Sequence, residues 1–387
     1  MTMPHYIDIA HHSLNKFGEE LCGDKVEIIK HDDRIIVVLA DGLGSGVKAN
    51  ILATLTSKIM STMLENGADL IETIDTITQT LPVCSVRKIG YSTFSIIELD
   101  ASLHARIIEF DNPPFFLLRN HHILPIEKEM IVSSDKKVYI SSVDLKIGDE
   151  LTICSDGVIH AGVGMLLNFG WEWKNVAEFL EKQDCISSEK LNRRLIDACN
   201  SLYEDHPGDD TTAVTIKVRA PLEVQIFTGP PSDPSLDAQA IKAFMASPGK
   251  KVVCGGTAAN IFARELGRDI ITEMDYINPE VPPTAEIEGL DLVTEGVLTL
   301  KMASEKLKAI AHLNEEPSFE KKDGVNALLK LLVEDSTHIH FWVGRALNPA
   351  HQNPDFPKEL SLKTHIIRDM AGTLGKLGKI VDIHFTD

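Results

Sequence analysis

The chain has 387 residues, enough for two domains that each bury a core of their own. Hydrophobic residues make up 43% of the chain and charged residues 25%, which is typical of a globular protein. The formal net charge is −19, from 38 basic and 57 acidic side chains, and no dense basic patch interrupts the acidity. This balance argues against a protein that holds nucleic acid through phosphate contacts.

The sequence also carries no sign of export or of a membrane anchor. No apolar run reaches membrane-spanning length, and the first residues lack the basic flank and apolar core of a signal peptide. The six cysteines are scattered and form no CxxC pair, as expected of reduced core residues. We therefore predict a cytoplasmic protein with free thiols and no membrane contact.

The N-terminal half begins with strands and continues with helices. Residues 6–40 are predicted to form strands, and the helical spacing of apolar residues over 47–64 predicts a helix. Within that helix, Ile51, Leu55 and Ile59 are expected to face the core. The remaining predicted strands are 91–99, 103–110, 115–119, 138–141, 151–154 and 212–218, and the remaining helices are 69–80, 176–183 and 188–203. Mostly antiparallel strands with helices grouped in two places predict an α+β fold over residues 1–219.

The C-terminal half has a different pattern. A boundary begins at Pro221, and proline and glycine at 229–231 reinforce it, so we predict a linker over 220–235 and a second domain over 236–387. The predicted strands are 251–254, 290–293, 338–343 and 380–385, and the predicted helices are 258–266, 297–313, 325–334 and 365–376. Their alternation indicates a smaller α/β domain.

Acidic residues recur where a predicted strand of the N-terminal half meets a turn. Asp41 ends the apolar run 35–40 and opens a glycine-rich loop, and Asp156 follows strand 151–154. The full set is Asp24, Asp41, Asp156 and Asp209, with Asp210 directly after the last. Any one of these sites could be a plain turn, because Asp-Gly and Gly-Asp are common turn dipeptides. Four acids at strand ends can converge at the rim of a sheet.

Such a cluster suits hard divalent cations. Carboxylate oxygens without Cys or His at the same points favour Mg²⁺ or Mn²⁺ over zinc. Asp41 could bridge two ions, and Gly42, which has no side chain, could offer its carbonyl oxygen to one of them. Asp156 and Asp209 could complete one shell, and Asp24 could serve the other. Two close ions can hold a bridging water, lower its pKa and clamp a phosphoryl group for in-line attack.

A series of short motifs contains these acids. In chain order the motifs are Gly23-Asp24, the loop 41–46, Ser92-Thr93-Phe94, Asn112-Pro113-Pro114, Gly148-Asp149-Glu150, Ser155-Asp156-Gly157-Val158 and Gly208-Asp209-Asp210-Thr211-Thr212. The series resembles that of the metal-dependent Ser/Thr protein phosphatases, in particular their bacterial branch of the stage II sporulation protein E type. The resemblance covers about residues 6–219.

The resemblance implies a β-sandwich flanked by helices, in α-β-β-α layers, with two Mn²⁺ or Mg²⁺ ions at one end. The implied metal ligands are Asp24, Asp41, the Gly42 carbonyl, Asp156 and either Asp209 or Asp210. Many relatives carry Asn where Asp210 stands, so the choice between Asp209 and Asp210 is open, and we favour Asp209. Asp41, Asp156 and Asp209 are the implied catalytic residues.

The implied reaction is hydrolysis of phosphoserine or phosphothreonine by direct attack of a metal-bridging water, without a phosphoenzyme. Leu43 stands where eukaryotic members often have His, and residues 6–21 lack the arginine that grips phosphate in those members. Substrate recognition is therefore expected to depend on the protein surface. In this branch the usual substrate is a phosphorylated regulatory protein that resembles an anti-anti-sigma factor. Whether the protein forms a homodimer is also left open at this point.

Two rival functions remain open. The first is a phosphatase fold that is catalytically weak and only binds a signalling partner. The second is a nucleotide- or anion-binding function of the C-terminal half, where Gly255-Gly256-Thr257 joins a strand to a helix and presents backbone N–H groups. A tight turn with a helix cap explains the same residues equally well. We recognise no family for residues 221–387, and a regulatory or sensory role is the expectation by analogy.

Overall fold

The computed structural model describes residues 5–31, 33–80, 92–133, 136–185, 187–272, 283–313, 323–346 and 358–386. The chain divides into two compact units, Met1–Ala220 and Pro221–Asp387. No helix within these described ranges combines the length and the apolar composition that a membrane crossing requires.

The N-terminal unit consists of helices and two antiparallel sheets. Its strands are β1 (Tyr6–Leu14), β2 (Asp24–Lys30), β3 (Arg34–Gly42), β4 (Ser92–Asp100), β5 (His104–Phe110), β6 (Phe116–Arg119), β7 (His122–Ile123), β8 (Glu129–Ser133), β9 (Lys136–Asp144), β10 (Glu150–Cys154) and β11 (Thr211–Arg219). Its helices are α1 (Gly46–Glu65), α2 (Leu70–Thr80), α3 (Asp156–Ile159), α4 (Glu172–Glu181) and α5 (Ser188–Leu202). One sheet has the order β1-β11-β10-β6-β7, and the other has the order β2-β3-β4-β5-β9-β8.

Alternating side chains let each sheet contribute to two cores. Val37 and Leu39 of β3 pack with Leu151 and Ile153 of β10 in the core between the sheets. Val38 points the other way, into the core that α1 and α2 form with the outer face of the six-stranded sheet. Helices α4 and α5 cover the outer face of the five-stranded sheet. The predicted α+β fold with α-β-β-α layers is therefore confirmed.

Helix α1 turns a different face to the core from the one that its apolar spacing indicates. Its buried residues are Gly46, Ala49, Ala53, Thr56, Ser57, Met60, Ser61 and Leu64. Ile59 packs partly against the core, but Ile51 and Leu55 are 52% and 49% exposed, so the expectation for these two was wrong. The cause is close packing: a Cβ on Gly42 of β3 would lie 2.1 Å from the carbonyl oxygen of Ala49. At that end of the helix only small side chains, such as those of Ala49 and Ala53, fit between α1 and the sheet.

The C-terminal unit is an α/β layer structure, in agreement with the prediction. Its strands are β12 (Glu223–Thr228), β13 (Lys250–Cys254), β14 (Ile271–Thr272), β15 (Ala285–Glu286), β16 (Leu292–Thr294), β17 (His338–Gly344) and β18 (Ile380–Thr386). Its helices are α6 (Asp237–Ala246), α7 (Gly256–Leu266), α8 (Val297–Leu313), α9 (Gly324–Val333) and α10 (Lys358–Lys376). The sheet order is β14-β15-β16-β13-β12-β17-β18, and the last five strands in this order are parallel.

The predicted linker over 220–235 is wrong, because it contains β12, which lies between β13 and β17 inside the sheet. Val224 and Ile226 are buried in the core, and the amide oxygen of buried Gln225 accepts a hydrogen bond from Trp342 Nε1 at 2.8 Å. The prolines and glycines on which the linker was based mark the two ends of this strand.

One of the sequence motifs has a structural role that stability measurements can test. Asp149 is buried, and its carboxylate accepts hydrogen bonds from Arg119 Nη2 at 2.6 Å, Arg119 Nε at 2.9 Å and Lys146 N at 2.8 Å. Asp149→Ala would leave the guanidinium without its carboxylate, which costs about 3 kcal/mol of unfolding free energy. We expect the thermal midpoint to fall by roughly 6–12 °C in differential scanning calorimetry.

The matched control is Asp144→Ala, because the Asp144 side chain is 84% exposed. Its midpoint should move by no more than about 2 °C. An unchanged midpoint for Asp149→Ala would contradict the stabilising role of the buried ion pair.

Candidate metal centre

The acids that the sequence singles out come from the ends of strands in both sheets. Asp24 is the first residue of β2 and lies directly opposite Asp41 in the β2–β3 register. Asp156 begins α3 and is separated from β10 by Ser155 alone, and Asp209 and Asp210 immediately precede β11, which pairs with β10. Antiparallel pairing thus places Asp24 and Asp41 at one end of their sheet, and Asp156, Asp209 and Asp210 at one end of the other.

A hydrogen-bond chain crosses from one sheet to the other at this end. Ser155 Oγ donates to Asp24 Oδ2 at 2.7 Å, and Thr212 N donates to Ser155 Oγ at 2.9 Å. A Cβ on Gly157 would lie 2.2 Å from the carbonyl oxygen of Asp210, so the start of α3 lies directly against the residues before β11. The sequence reasoning gave no role to Ser155 or Thr212; their positions inside the motifs of the acids were the available signal.

Two carboxylate oxygens at this site, Asp24 Oδ1 and Asp210 Oδ2, are buried and have no hydrogen-bond partner among the described residues. The other oxygen of Asp210 accepts from Lys16 N at 3.1 Å. A Cβ on Gly23 would lie 2.7 Å from Asp210 Oδ2, so Gly23 leaves the room that this carboxylate occupies. Asp209 Oδ1 accepts from the backbone N–H of Asp210 at 3.0 Å.

The carboxylates act on one another electrostatically. Burial raises the pKa of Asp41, and the charges of Asp24, Asp156, Asp209 and Asp210 raise it further. Burial also raises the pKa of Asp24, although hydrogen bonds to its carboxylate oppose the shift. Burial and the charge of Asp156 raise the pKa of Asp209. All the sequence-predicted acids therefore lie in one region of strong negative potential.

This arrangement fits a hard divalent cation. A cation would remove the repulsion between the carboxylates and would give a partner to the two buried oxygens that have none among the described residues. Within the described ranges, no group of three or more His, Cys, Asp or Glu side chains is already arranged to hold a metal ion. The fold thus brings the candidate ligands into one region but does not set their carboxylates into a coordination shell.

The loop between β3 and α1 fixes the backbone beside Asp41. Gly44 has a φ of 106° and Gly46 has a φ of 66°, and such positive values favour glycine. The Gly42 N–H donates to the carbonyl oxygen of Gly23 at 3.1 Å. Asn50 Nδ2 of α1 donates to the carbonyl oxygen of Cys22 at 2.8 Å. These bonds therefore tie α1 and the end of β3 at Gly42 to the segment Cys22-Gly23, which directly precedes Asp24.

Two antiparallel sheets between helical layers, with acids at one end, are the architecture of PP2C-type phosphatase domains. The solved PP2C phosphatase domain of SpoIIE from Bacillus subtilis, with a fragment of its regulatory domain, shares this fold: the TM-score is 0.50 and the identity 20%, over 57% of this chain and 65% of that chain. The RsbU and RsbW domains of Rv1364c from Mycobacterium tuberculosis align with a TM-score of 0.47 and 20% identity, over 63% of this chain and 69% of that chain.

The sequence comparisons indicate the branch. Residues 31–219 match the family described as stage II sporulation protein E (SpoIIE). Stage II sporulation protein E of Bacillus subtilis (strain 168) is 29% identical over 152 residues, which are 38% of this chain and 18% of that protein. The match thus spans less than a fifth of the curated relative. The N-terminal unit thus matches the SpoIIE family over residues 31–219, which confirms the resemblance in the motifs.

The close approach of α1 to Gly42 gives a prediction about stability. Gly42→Ala would place a Cβ against the backbone of Ala49, so either the loop beside Asp41 or the helix must move. We expect a loss of about 2 kcal/mol and a thermal midpoint lower by roughly 4–8 °C, measured by circular dichroism. Gly208→Ala is the control, because a Cβ there meets only Tyr203 Cε1 at 3.5 Å. Equal midpoints for the two variants would contradict the tight packing at Gly42.

Proposed function

We propose that the N-terminal unit is a metal-dependent protein phosphatase that removes phosphate from phosphoserine or phosphothreonine. The observation that carries the proposal is the Asp24–Asp41 pair at the end of β2 and β3, under the direct electrostatic influence of Asp156 and Asp209 from the other sheet. A turn that has only a structural role needs no more than one acidic side chain, whereas several acids influence one another here. Buried acids that raise one another's pKa are typical of functional sites.

We propose that the site takes two divalent cations, Mn²⁺ or Mg²⁺. Asp41, Asp156 and Asp209 would hold one cation, and Asp41, the Gly42 carbonyl and Asp24 would hold the other. When bound, the cations would supply an activated water and would neutralise charge on the phosphoryl group. The choice of Asp209 over Asp210 follows the motif, because one carboxylate oxygen of each residue accepts a backbone N–H, from Asp210 and from Lys16 respectively.

The surrounding residues position these groups. The Ser155 hydroxyl orients the Asp24 carboxylate, and the contact between Gly42 and α1 fixes the direction of the Gly42 backbone. Leu43, which follows directly, has no proton to give or take. We propose Asp41, Asp156 and Asp209 as the catalytic residues, as the resemblance in the motifs implies, and the charge of Asp156 raises the pKa of both Asp41 and Asp209.

For the substrate, we propose a phosphorylated regulatory protein of the anti-anti-sigma-factor-like kind, and neither nucleic acid nor membrane. Support comes from the exposed face of α1, where Val47, Ile51 and Leu55 are 63%, 52% and 49% exposed at a spacing of four residues. Helix α1 begins at the end of the glycine loop beside Asp41, and exposed apolar groups beside a site favour contact with protein. A homodimer stays a prediction that sedimentation can test.

The remaining expectations concern location and the second unit. We propose a cytoplasmic location on the basis of the cysteines, since Cys22, Cys154, Cys185, Cys199 and Cys254 are free thiols. Cys84 lies outside the described residues.

We propose that the α/β unit has a regulatory or sensory role for the phosphatase unit.

The metal mechanism predicts the effect of removing the shared ligand. Asp41→Asn should lower Mn²⁺-dependent hydrolysis of p-nitrophenyl phosphate by at least about 100-fold, because Asp41 is proposed to contact both cations. The same loss is expected of the unaltered protein in EDTA. Asp33→Asn, at an exposed position, is the matched control and should retain full activity. Activity that survives both chelation and Asp41→Asn would refute the mechanism, whereas an unaltered protein without Mn²⁺-dependent activity would favour the binding-only alternative.

A second substitution pair tests which acid before β11 is the ligand. We expect Asp209→Asn to raise the Mn²⁺ concentration for half-maximal activity by about 100-fold, and Asp210→Asn by about tenfold, as for a residue that only positions its neighbours. The measurement is a Mn²⁺ titration of p-nitrophenyl phosphate hydrolysis. The reverse order would assign the ligand to Asp210.

A further inference from the structure

The sheet of the C-terminal unit ends in a long edge strand. β18 is the last strand in the sheet order, and among the strands that the structure describes it pairs only with β17. It has 7 residues, whereas β14 at the opposite edge has 2. Many proteins keep their edge strands very short, because an edge strand can pair with a strand of another chain. The edge at β18 is long enough for such pairing.

The hydrogen bonds to β17 show which backbone groups of β18 point outward. The N–H of Ile380, the first residue of β18, donates to the carbonyl oxygen of Thr337 at 3.0 Å. Successive residues of a strand direct their N–H and C=O groups to opposite sides, so every second residue after Ile380 also faces β17. Val381, Ile383 and Phe385 therefore direct their backbone groups to the free side of the edge.

The side chains of β18 are complementary to the same strand in the reverse direction. Val381, Ile383 and Phe385 are half-buried and pack against the core that contains α10. Asp382 and His384 alternate with them and are exposed on the other face of the sheet. From 381 to 385 the order is apolar, acidic, apolar, basic, apolar. An antiparallel copy of this strand therefore brings apolar groups opposite apolar groups and the acid opposite the imidazole.

We propose that β18 pairs with β18 of a second copy of this chain, in antiparallel orientation about a two-fold axis at Ile383. The sheet of one copy then continues into the sheet of the other. In this register Ile383 faces the same residue of the second copy, and Val381 faces Phe385, so the outward backbone groups form hydrogen-bonded pairs. Asp382 faces His384 at the positions between them, where cross-strand side chains are closest. The two-fold axis makes each of these unlike pairs occur twice.

The charges select this register over its neighbours. An axis at Asp382 would place two carboxylates opposite each other, and an axis at His384 would do the same with two imidazoles, and like groups in cross-strand pairs are destabilising. Within one copy Asp382 Oδ2 lies 3.3 Å from His340 Nδ1, and the second carboxylate oxygen can accept from the imidazole of the other copy. The interface gives a surface to the homodimer that the sequence left open, and it does not depend on the phosphatase activity.

Sedimentation velocity of the full-length protein at a series of concentrations tests the interface. We expect a dimer, and we expect Asp382→Lys and His384→Asp each to raise its dissociation constant by about tenfold or more, because each substitution affects two cross-strand pairs. The matched control is Asp269→Lys, which makes the same change of charge at an exposed position just before β14 and should leave the constant unchanged. A monomer at all concentrations, or a dimer that neither β18 substitution weakens, would overturn the proposal.

Exchange of the two charges tests the register itself. The double variant Asp382→Lys/His384→Asp again places a cation opposite a carboxylate in both pairs, so its dissociation constant should return to within about threefold of that of the unaltered protein. Two substitutions that only damaged the strand would add their effects instead. A double variant that dimerises as weakly as the single variants would therefore overturn the proposed pairing of Asp382 with His384.

Amide hydrogen exchange of the unaltered protein tests the backbone contacts and serves also if a variant does not fold. The N–H groups of Val381, Ile383 and Phe385 should exchange more slowly at concentrations at which the dimer forms than in the dilute monomer. The exchange rates of β13, inside the sheet, should not depend on concentration. Exchange of β18 that stays the same while the protein dimerises would place the interface elsewhere and would overturn the proposal.

Discussion

The repulsion between carboxylates at one end of the N-terminal sandwich is the interaction on which the account depends. Asp24 and Asp41 lie opposite each other on paired strands, and Asp156 and Asp209 approach from the other sheet. Such a cluster costs stability, because burial and like charges both oppose ionisation. Two extensive hydrophobic cores offset this loss of stability, and so does the hydrogen bond from Ser155 that joins the two sheets beside Asp24. Stability given up at one place for chemistry is a common property of functional sites.

The position of the acids could be predicted from the sequence, but their hydrogen bonds could not. An apolar run predicts a strand, and an acid followed by glycine predicts the turn after it. This local pattern is sufficient to predict that Asp41 and Asp156 lie at the end of a strand, at the edge of a sheet. The bond between Ser155 and Asp24 joins residues 131 positions apart and depends on how two sheets pack. The carboxylate oxygens of Asp24 and Asp210 that have no partner in the described part of the chain likewise depend on tertiary packing, and no local sequence pattern indicates them.

Two errors of the sequence interpretation have physical causes. Helix α1 carries apolar residues on more than one face, and the spacing of Ile51 and Leu55 does not tell which face meets the sheet. The small residues Ala49 and Ala53 face it, because β3 approaches the helix closely. The linker was predicted from prolines and glycines that end a strand as readily as they form a flexible connection. Gln225 at the centre of β12 weakened the strand pattern, and its hydrogen bond to Trp342 comes from distant sequence.

A crystal structure of the protein grown with Mn²⁺, in which anomalous scattering locates each ion, tests most directly whether these carboxylates hold two cations. We predict two ions at the end of the sandwich, one in contact with Asp41, Asp156 and Asp209, and the other with Asp41, the Gly42 carbonyl and Asp24. Carboxylates that remain too far apart to share an ion, or ions bound only elsewhere on the surface, would contradict the central claim.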